Sequence, residues 1–191
     1  MSTVGRTVDE LVDRFVHYLN GAGFEPRFPD EIPEELRASN TESEMFHWQI
    51  HPASLNPWVE KLAEKFPQQW PMPFYSLIER YRFPNIEVGP LMLFANSGHD
   101  LFYELSKRVF ADEGIFPLLH SHGLLQFGLP NEANYDPVCF DLKRQNRGDA
   151  PIVQLDHEEI LLRNRIRIVQ EIAPSFNQFM QRAITERFPV R

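Results

Sequence analysis

The stretch Val138-Cys139-Phe140-Asp141-Leu142 decides the fold. Successive side chains of a β-strand point to opposite faces, so Val138, Phe140 and Leu142 share one face. Cys139 and Asp141 lie on the other. A wholly apolar face on a short segment is typical of a strand that covers a hydrophobic core. The stretch therefore predicts a strand with one buried face, and the segments around it indicate what kind of sheet it belongs to.

Four more short runs of strand-forming residues flank this stretch, at residues 116–120, 124–127, 152–156 and 165–169. Turn-forming residues separate the runs. Strands that follow one another closely pair most easily in antiparallel order, because a parallel connection needs a long crossover. The last third of the chain is therefore predicted to be an antiparallel meander.

Helical periodicity predicts helices before and after this meander. Thr7 and Glu10 form a capping box for the first helix, and glycines stop it soon after residue 19. Ser175 and Gln178 form a second capping box for the last helix. The helices are predicted to begin at Thr7, to cover residues 56–66, 74–81 and 100–109, and to begin again at Ser175.

Two other segments complete the predicted fold. Residues 88–95 are almost wholly apolar, which predicts a central strand covered on both faces. Residues 25–45 are rich in proline and acids, which predicts a loop with one helical turn at 33–37, and a short strand follows at 46–50. The predicted fold class is α+β, an antiparallel sheet of about five to six strands with helices packed mainly on one face.

Five short motifs occur in a defined order along the chain. They are Pro73-Phe74-Tyr75, Phe127-Gly128, Cys139-Phe140-Asp141, Pro151-Ile152-Val153 and Ser175-Phe176. In this order they resemble the SUKH superfamily, the group of yeast cell-wall regulators and bacterial immunity proteins. The resemblance covers residues 46–182, and the tryptophan-bearing residues 46–70 resemble a bacterial branch of the group.

The resemblance implies a SUKH-like domain that binds other proteins. We predict that it covers residues 46–191, and that residues 1–45 add an N-terminal helix and an acidic loop, with the whole chain forming one compact unit. By resemblance to the bacterial members, the function is that of an immunity protein that neutralises a toxin, such as a nuclease, by binding it. By resemblance to the eukaryotic members, the alternative is a regulatory scaffold that binds endogenous proteins.

Composition and net charge limit the classes of partner that the protein could bind. The 191 residues are 42% hydrophobic, which is enough apolar area for a folded core. The net charge of −8 disfavours direct nucleic-acid binding and favours a basic partner, although solubility alone also explains such a charge. One cysteine excludes an intramolecular disulfide. With no signal segment and no long apolar run, we predict a cytoplasmic protein without a membrane partner.

Several residues are candidates for a buried structural role. Cys139 lies between apolar neighbours with no basic residue beside it, so we predict a structural cysteine rather than a nucleophile. Trp48, Trp58 and Trp70 belong to an aromatic-dense segment. Aromatic side chains anchor interfaces as well as cores, and we predict a core here.

A metal site is one alternative to a binding module. His120 and His122 on a predicted strand would present both rings on one face, as a metal ligand pair requires. The residues that could complete such a site are Asp156, His157, Glu158 and Glu159. The same pattern fits a turn followed by an acidic helix start that Asp156 caps. A metal-dependent hydrolase using His120, His122 and Asp156 is therefore the third alternative, and we predict no metal.

A catalytic triad is a weaker candidate. Ser97, His99 and Asp100 carry the required atoms but are adjacent in sequence and lack the strand–turn–helix elbow of hydrolases. A turn followed by a helix cap explains them. We predict a protein that is not an enzyme and needs no cofactor.

Two sets of charged residues are the predicted protein-binding sites. The acidic set, in the 25–45 loop, is Glu31, Glu34, Glu35, Glu42 and Glu44, accompanied by Asp30. The basic set is Arg163, Arg165 and Arg167, which would form a row on the predicted strand at 165–169 while the intervening isoleucines face inward. Each set has a simpler interpretation, as a solvated loop and as a solvated or ion-paired strand face.

Overall fold

The computed structural model describes residues 3–40, 44–52, 57–65, 70–97, 104–110, 114–131 and 134–191. Within them the helices are α1 (Thr3–Ala22), α2 (Pro57–Lys65), α3 (Met72–Arg80), α4 (Leu105–Phe110), α5 (Phe116–Ser121), α6 (His157–Arg163) and α7 (Phe176–Glu186). The strands are β1 (Arg37–Asn40), β2 (Phe46–Trp48), β3 (His51–Pro52), β4 (Tyr81–Arg82), β5 (Ile86–Val88), β6 (Leu91–Leu93), β7 (Leu124–Pro130), β8 (Val138–Asp141), β9 (Ile152–Leu155) and β10 (Ile168–Ala173). No helix among these residues is long and apolar enough to cross a membrane.

One six-stranded sheet organises the molecule. Its strand order is β10-β9-β8-β7-β6-β5, and every neighbouring pair is antiparallel. Two-stranded sheets, β1-β2 and β3-β4, lie outside it. The predicted α+β class with an antiparallel sheet is confirmed.

The two faces of the sheet bury different clusters. Val138 and Phe140 belong to the larger cluster, to which α1, α2, α3, α4, α7 and the first residue of α5, Phe116, also contribute. Cys139 and Val153 belong to a smaller cluster with α5 and α6. Because side chains alternate along a strand, the clusters lie on opposite faces. The helices therefore pack mainly on one face, and two short helices cover part of the other.

Phenylalanines form the centre of the larger cluster. The Phe127 and Phe140 rings stack with their centroids 3.9 Å apart. Phe74 from α3 approaches them at 5.3 and 5.0 Å, and Phe176 from α7 meets them edge-on at 6.1 and 5.7 Å. These residues come from four of the five motifs that carry the SUKH resemblance. Their shared role in this structure is core packing.

The aromatic-dense segment also lies in the core where its side chains are described. Trp48 is buried and stacks on Phe24 at 3.8 Å between ring centroids. Trp70 is buried beside Phe74. The side chain of Trp58 lies outside the described part. The predicted core role is confirmed for Trp48 and Trp70.

The first helix packs into the same core as the sheet. Phe15 is buried and meets Phe176 edge-on at 6.4 Å. The Tyr81 hydroxyl donates a hydrogen bond to Asp13 at 2.7 Å. Burial and this hydrogen bond raise the pKa of Tyr81 to about 12. The helix of the predicted N-terminal extension thus shares its core with the rest of the chain.

The structure tests the predicted first residues of three helices, with a different outcome for each. The capping box at Thr7 is wrong, since α1 begins at Thr3 and Thr7 lies inside it. A threonine followed three residues later by a glutamate also occurs within helices, so this signal does not fix a start. The helix predicted at 100–109 begins at Leu105 in the described part, since Glu104 instead bridges Ala95. The Ser175 cap is confirmed, because the Ser175 hydroxyl accepts a hydrogen bond from the Gln178 amide at 3.1 Å.

The single central strand predicted at 88–95 is also wrong. The segment folds into the β5–β6 hairpin, in which Val88 pairs with Leu91. Gly89 takes a left-handed conformation with φ of 56° at the turn, which glycine adopts readily. The Gly89-Pro90 dipeptide is itself a turn signal, and the prediction of one strand gave more weight to the apolar residues on either side of it.

Two predicted strands in the last third are corrected. Residues 116–120 belong to helix α5, with Pro117 in its first turn. A short apolar run fits a buried helix as well as a strand. The strand predicted at 165–169 is β10, which begins three residues later at Ile168 and ends at Ala173. The other predicted strands of the meander are confirmed as β7, β8 and β9.

Candidate functional site

Four large aliphatic side chains are exposed within nine residues at one edge of the sheet. Leu161 and Leu162 on α6 are 63% and 79% exposed. Ile168 and Val169 at the start of β10 are 48% and 51% exposed. Ile168 pairs with Leu155 on the face that α6 covers, whereas Val169 lines a pocket with Gln154 on the other face, so the exposed side chains lie on both sides of the edge strand. We call these four side chains, together with Arg165, the β10 edge surface. Single exposed apolar side chains are common, but several of them beside an open strand edge make a candidate interaction site.

Local sequence signals place these side chains outward. The Asp156 carboxylate caps α6 by accepting a hydrogen bond from the Glu159 amide at 3.1 Å. Ile160 is the buried residue of this helix, so the leucines that follow it lie on the solvent side. Asn164 then ends the helix in a left-handed conformation, with φ of 50°. Ile166 packs against the smaller cluster before β10 begins.

The arginine row is not on a strand, which corrects the predicted placement. Arg163 is the last residue of α6, where it forms an ion pair with Glu159. Arg167 precedes β10 and lies 3.4 Å from Asp156. Such exposed pairs contribute at most about 1 kcal/mol. The ion-paired interpretation therefore holds for Arg163 and Arg167. The exposed Arg165 side chain makes no hydrogen bond or ion pair within the described residues.

The two edges of the sheet differ. At the β5 edge, the chain covers its own backbone groups with residues 189–191. Glu87 and Arg191 exchange hydrogen bonds of 3.0 and 3.1 Å, and the Gly89 amide donates to Pro189 at 2.9 Å. At the β10 edge, none of the described residues forms a further strand. Outward-pointing N–H and C=O groups of an edge strand are available to another chain.

A partly buried network of polar side chains connects β10 to β9 and to the start of α6. Asp136 accepts hydrogen bonds from His157 Nδ1 at 2.7 Å and from Gln154 Nε2 at 2.8 Å. The side-chain oxygen of Gln154, Oε1, in turn accepts a hydrogen bond from Gln170 Nε2 at 2.7 Å. Burial alone would raise the pKa of Asp136, but the hydrogen bonds from His157 and Gln154 lower it overall. No spacing pattern in the sequence indicates this network, because its members meet only through strand order.

The acidic loop is held in a defined shape. The Arg37 guanidinium donates hydrogen bonds to the carbonyls of Pro29 at 2.7 Å and Ile32 at 3.2 Å. The Phe28 amide donates to the Glu31 carboxylate at 2.9 Å. Phe28 itself is 52% exposed beside these acids. We call Phe28, Asp30, Glu31, Glu34 and Glu35, all exposed, the acidic loop surface.

The predicted acidic and basic sets do not lie together. Glu31 and Glu87 line one shallow pocket, which places the acidic loop surface at the β5 edge. The arginines lie by β10, at the opposite edge of the six-stranded sheet. Glu44 is exposed, and Glu42 lies outside the described residues. The structure therefore offers two separate surfaces rather than one.

Within the described part of the chain, the catalytic and metal candidates lie in separate places. Cys139 is fully buried, and this burial, with a smaller contribution from Asp141, raises the pKa of its thiol well above its ordinary value. His120 lies on α5 and His122 just beyond it, not on a strand. No group of three potential metal ligands occurs among the described residues. Ser97 is described, whereas the other two residues of the adjacent triad, at 99 and 100, are not.

Comparison with known proteins gives no family. No protein-family model matches this sequence, and no curated protein matches it. Membership of the SUKH superfamily therefore stays a prediction that rests on the five motifs.

Proposed function

We propose that this chain is a non-catalytic protein-binding module. The observation that carries the proposal is the β10 edge surface, where exposed aliphatic side chains flank an open strand edge. Covering such side chains is worth about 25 cal/mol for each Å² of apolar area removed from water. A partner would gain this area and the backbone hydrogen bonds of the edge together. Arg165 forms no ion pair within the described residues, so its guanidinium is available to a carboxylate of the partner. The partner surface expected here is therefore apolar, with carboxylates at its rim.

We further propose that the bound protein is a basic toxin, such as a nuclease, in the manner of an immunity protein. This narrower proposal is supported by the acidic loop surface, whose geometry suits a basic partner. Asp30, Glu34 and Glu35 offer carboxylates, and Phe28 offers an aromatic side chain of the type that anchors interfaces. The Arg37 hydrogen bonds hold the loop in shape, so little conformational entropy is lost on binding.

A regulatory scaffold is the alternative, and the separation of the two surfaces favours it. The acidic loop surface and the β10 edge surface lie at opposite edges of the sheet, and they differ in chemistry, one being acidic and the other mainly aliphatic. Two partners with different surfaces could therefore bind at once. A single toxin would be expected to depend on one surface only.

The first prediction concerns the β10 edge surface. Replacing Leu161 and Leu162 with aspartate is expected to weaken partner binding about 30-fold or more, because charges would then face the apolar partner surface. The tagged chain is used to capture its partner from native lysate, and the dissociation constant is measured with the purified partner. The matched control is Gln181→Asp with Thr185→Asp, which adds the same charge to the exposed side of α7. Equal affinity of all variants would show that this surface is not the docking site.

The partner's activity separates the two proposals. If the captured partner is a nuclease, and its activity falls when an excess of the purified protein is added, the immunity function is supported. A partner without toxin activity contradicts that function and favours the scaffold, while the affinity measurement still tests the docking site.

The second prediction concerns the acidic loop surface. Glu34→Lys with Glu35→Lys is expected to slow association with a basic toxin about tenfold and to reduce its salt dependence, because the attracting charge is reversed. Glu31 is kept, since its carboxylate accepts the Phe28 amide. The control reverses two exposed acids elsewhere, Glu10 and Glu64. Unchanged association and unchanged toxin neutralisation would contradict the steering mechanism.

A further inference from the structure

A groove between the ends of α1 and α7 gathers positive charge in an acidic protein. Arg14 and His17 reach it from α1, and Arg187 reaches it from the end of α7. None of its ten lining residues is acidic. The exposed side chains of Arg14 and Arg187 make no hydrogen bond or ion pair within the described residues. In contrast, Arg182 on α7 is paired with Glu186.

The floor of the groove is apolar and firmly held. Ile184, Phe188 and Val190 form it. The Phe188 ring packs on Phe179 at 5.9 Å between centroids, and the Phe188 carbonyl accepts a hydrogen bond from the Tyr18 hydroxyl. Tyr18 and Arg187 both line the groove. Burial raises the pKa of Tyr18, and the charge of Arg187 partly opposes this rise.

The backbone of Arg187 has a conformation that is uncommon for a residue with a side chain. It lies in the left-handed region, with φ of 53°, while the Phe188 amide donates to the Ala183 carbonyl at 3.1 Å. Glycine is preferred at this position of a helix end, since a side chain there costs free energy. A cation at this end of the helix interacts favourably with the helix dipole.

The shape of the groove indicates the kind of ligand. It is open to solvent rather than enclosed, whereas small-molecule sites bury most of their ligand. An open groove fits a segment of a larger molecule. Guanidinium groups pair well with carboxylates, and the apolar floor accepts an aliphatic or aromatic side chain.

We propose that this groove binds an acidic segment of a protein partner, with carboxylates at Arg14 and Arg187 and an apolar side chain on the Phe188 floor. The site is distinct from the β10 edge surface and from the acidic loop surface, and it does not depend on the function proposed above. It is a basic groove on a protein whose net charge is −8, and it could therefore bind an acidic ligand that the rest of the surface would repel.

The test uses a fluorescent synthetic peptide of alternating Glu and Leu residues and measures its binding to the full chain by fluorescence anisotropy. Arg187→Gly and Arg14→Gln are each expected to weaken binding about five- to tenfold, as expected for loss of a charge-assisted contact. The matched control is Arg147→Gly, because Arg147 is also exposed and left-handed, with φ of 51°, but does not line the groove. Glycine adopts the left-handed conformation without strain, so both glycine variants should keep or raise the melting temperature. If Arg187→Gly alone loses binding, unfolding cannot be the cause.

Three other probes define the chemistry. A Glu–Ser peptide should bind more weakly because it lacks the apolar side chains, and a Lys–Leu peptide should not bind. A single-stranded oligonucleotide that binds as tightly as the Glu–Leu peptide would overturn the proposal in favour of a phosphate ligand. The proposal also fails if the Glu–Leu peptide shows no saturable binding, or if Arg187→Gly and Arg147→Gly bind it equally.

Discussion

Phe140→Ala is expected to lower the free energy of unfolding by about 4 kcal/mol, the usual cost of removing a fully buried phenylalanine. Phe140 has no exposed surface and stacks on Phe127 at 3.9 Å between ring centroids. Phe74 and Phe176 enclose it from two helices at 5.0 and 5.7 Å. Neighbours held on three sides cannot collapse into the space that the ring leaves. Urea unfolding followed by circular dichroism measures the change.

Phe28→Ala is the matched control, since the same side chain is 52% exposed there. Its unfolding free energy is expected to change by no more than about 0.5 kcal/mol, as for most surface substitutions. Similar losses in both variants would contradict the central role of the phenylalanine cluster. This comparison also separates the two uses of aromatic residues in the chain, because Phe28 is proposed to act in binding and Phe140 in the core.

The sequence predicted the centre of the sheet well, because the signals there are local. Alternation in residues 138–142 predicted that Phe140 and Cys139 lie on opposite faces, and they occupy different clusters. The Ser175 cap was also readable, since its hydrogen bond to Gln178 spans only three residues. Such features depend on neighbours in the chain rather than on the completed fold.

Other elements could not be read from local pattern. Residues 116–120 have an apolar run that fits either a strand or a helix, and the packing of α5 decides it. The hairpin at Gly89, by contrast, carries a local signal in the Gly89-Pro90 dipeptide, but the apolar residues on either side favour a single strand. The strand predicted at 165–169 is displaced because α6 continues to Arg163, after which a loop is needed before β10.

The candidate surfaces illustrate the same limit. The sequence indicated Arg163, Arg165 and Arg167 as charged residues, but their pairing with acids of α6 and its cap follows from the fold. The exposure of Leu161 and Leu162 depends on which strand lies at the edge, and strand order is set by contacts between distant segments. The groove at Arg187 joins two helices from opposite ends of the chain, so no spacing rule could predict it.

Gly128→Ala is expected to destabilise the protein by about 3 kcal/mol, the upper part of the range for overpacked sites. A methyl group on Gly128 would lie 2.3 Å from the Met92 carbonyl oxygen and 3.3 Å from its carbon. Both atoms belong to the backbone of β6, so no side chain can turn away to make room. Gly128 pairs with Leu93 in β6 and with Val138 in β8, and a shift there would disturb both ladders. The close approach gives a physical reason for glycine in the Phe127-Gly128 motif.

Gly21→Ala is the matched control because the substitution is the same and the expected sign is opposite. Gly21 lies in helix α1, and a methyl group there would meet nothing within 4 Å. Alanine forms helices better than glycine, so the variant should be more stable by up to about 1 kcal/mol. Thermal and urea unfolding of both variants measure the difference. If Gly128→Ala were as stable as the wild type, β6 and β7 could not lie as close as the structure places them, and the antiparallel order at the centre of the sheet would need revision.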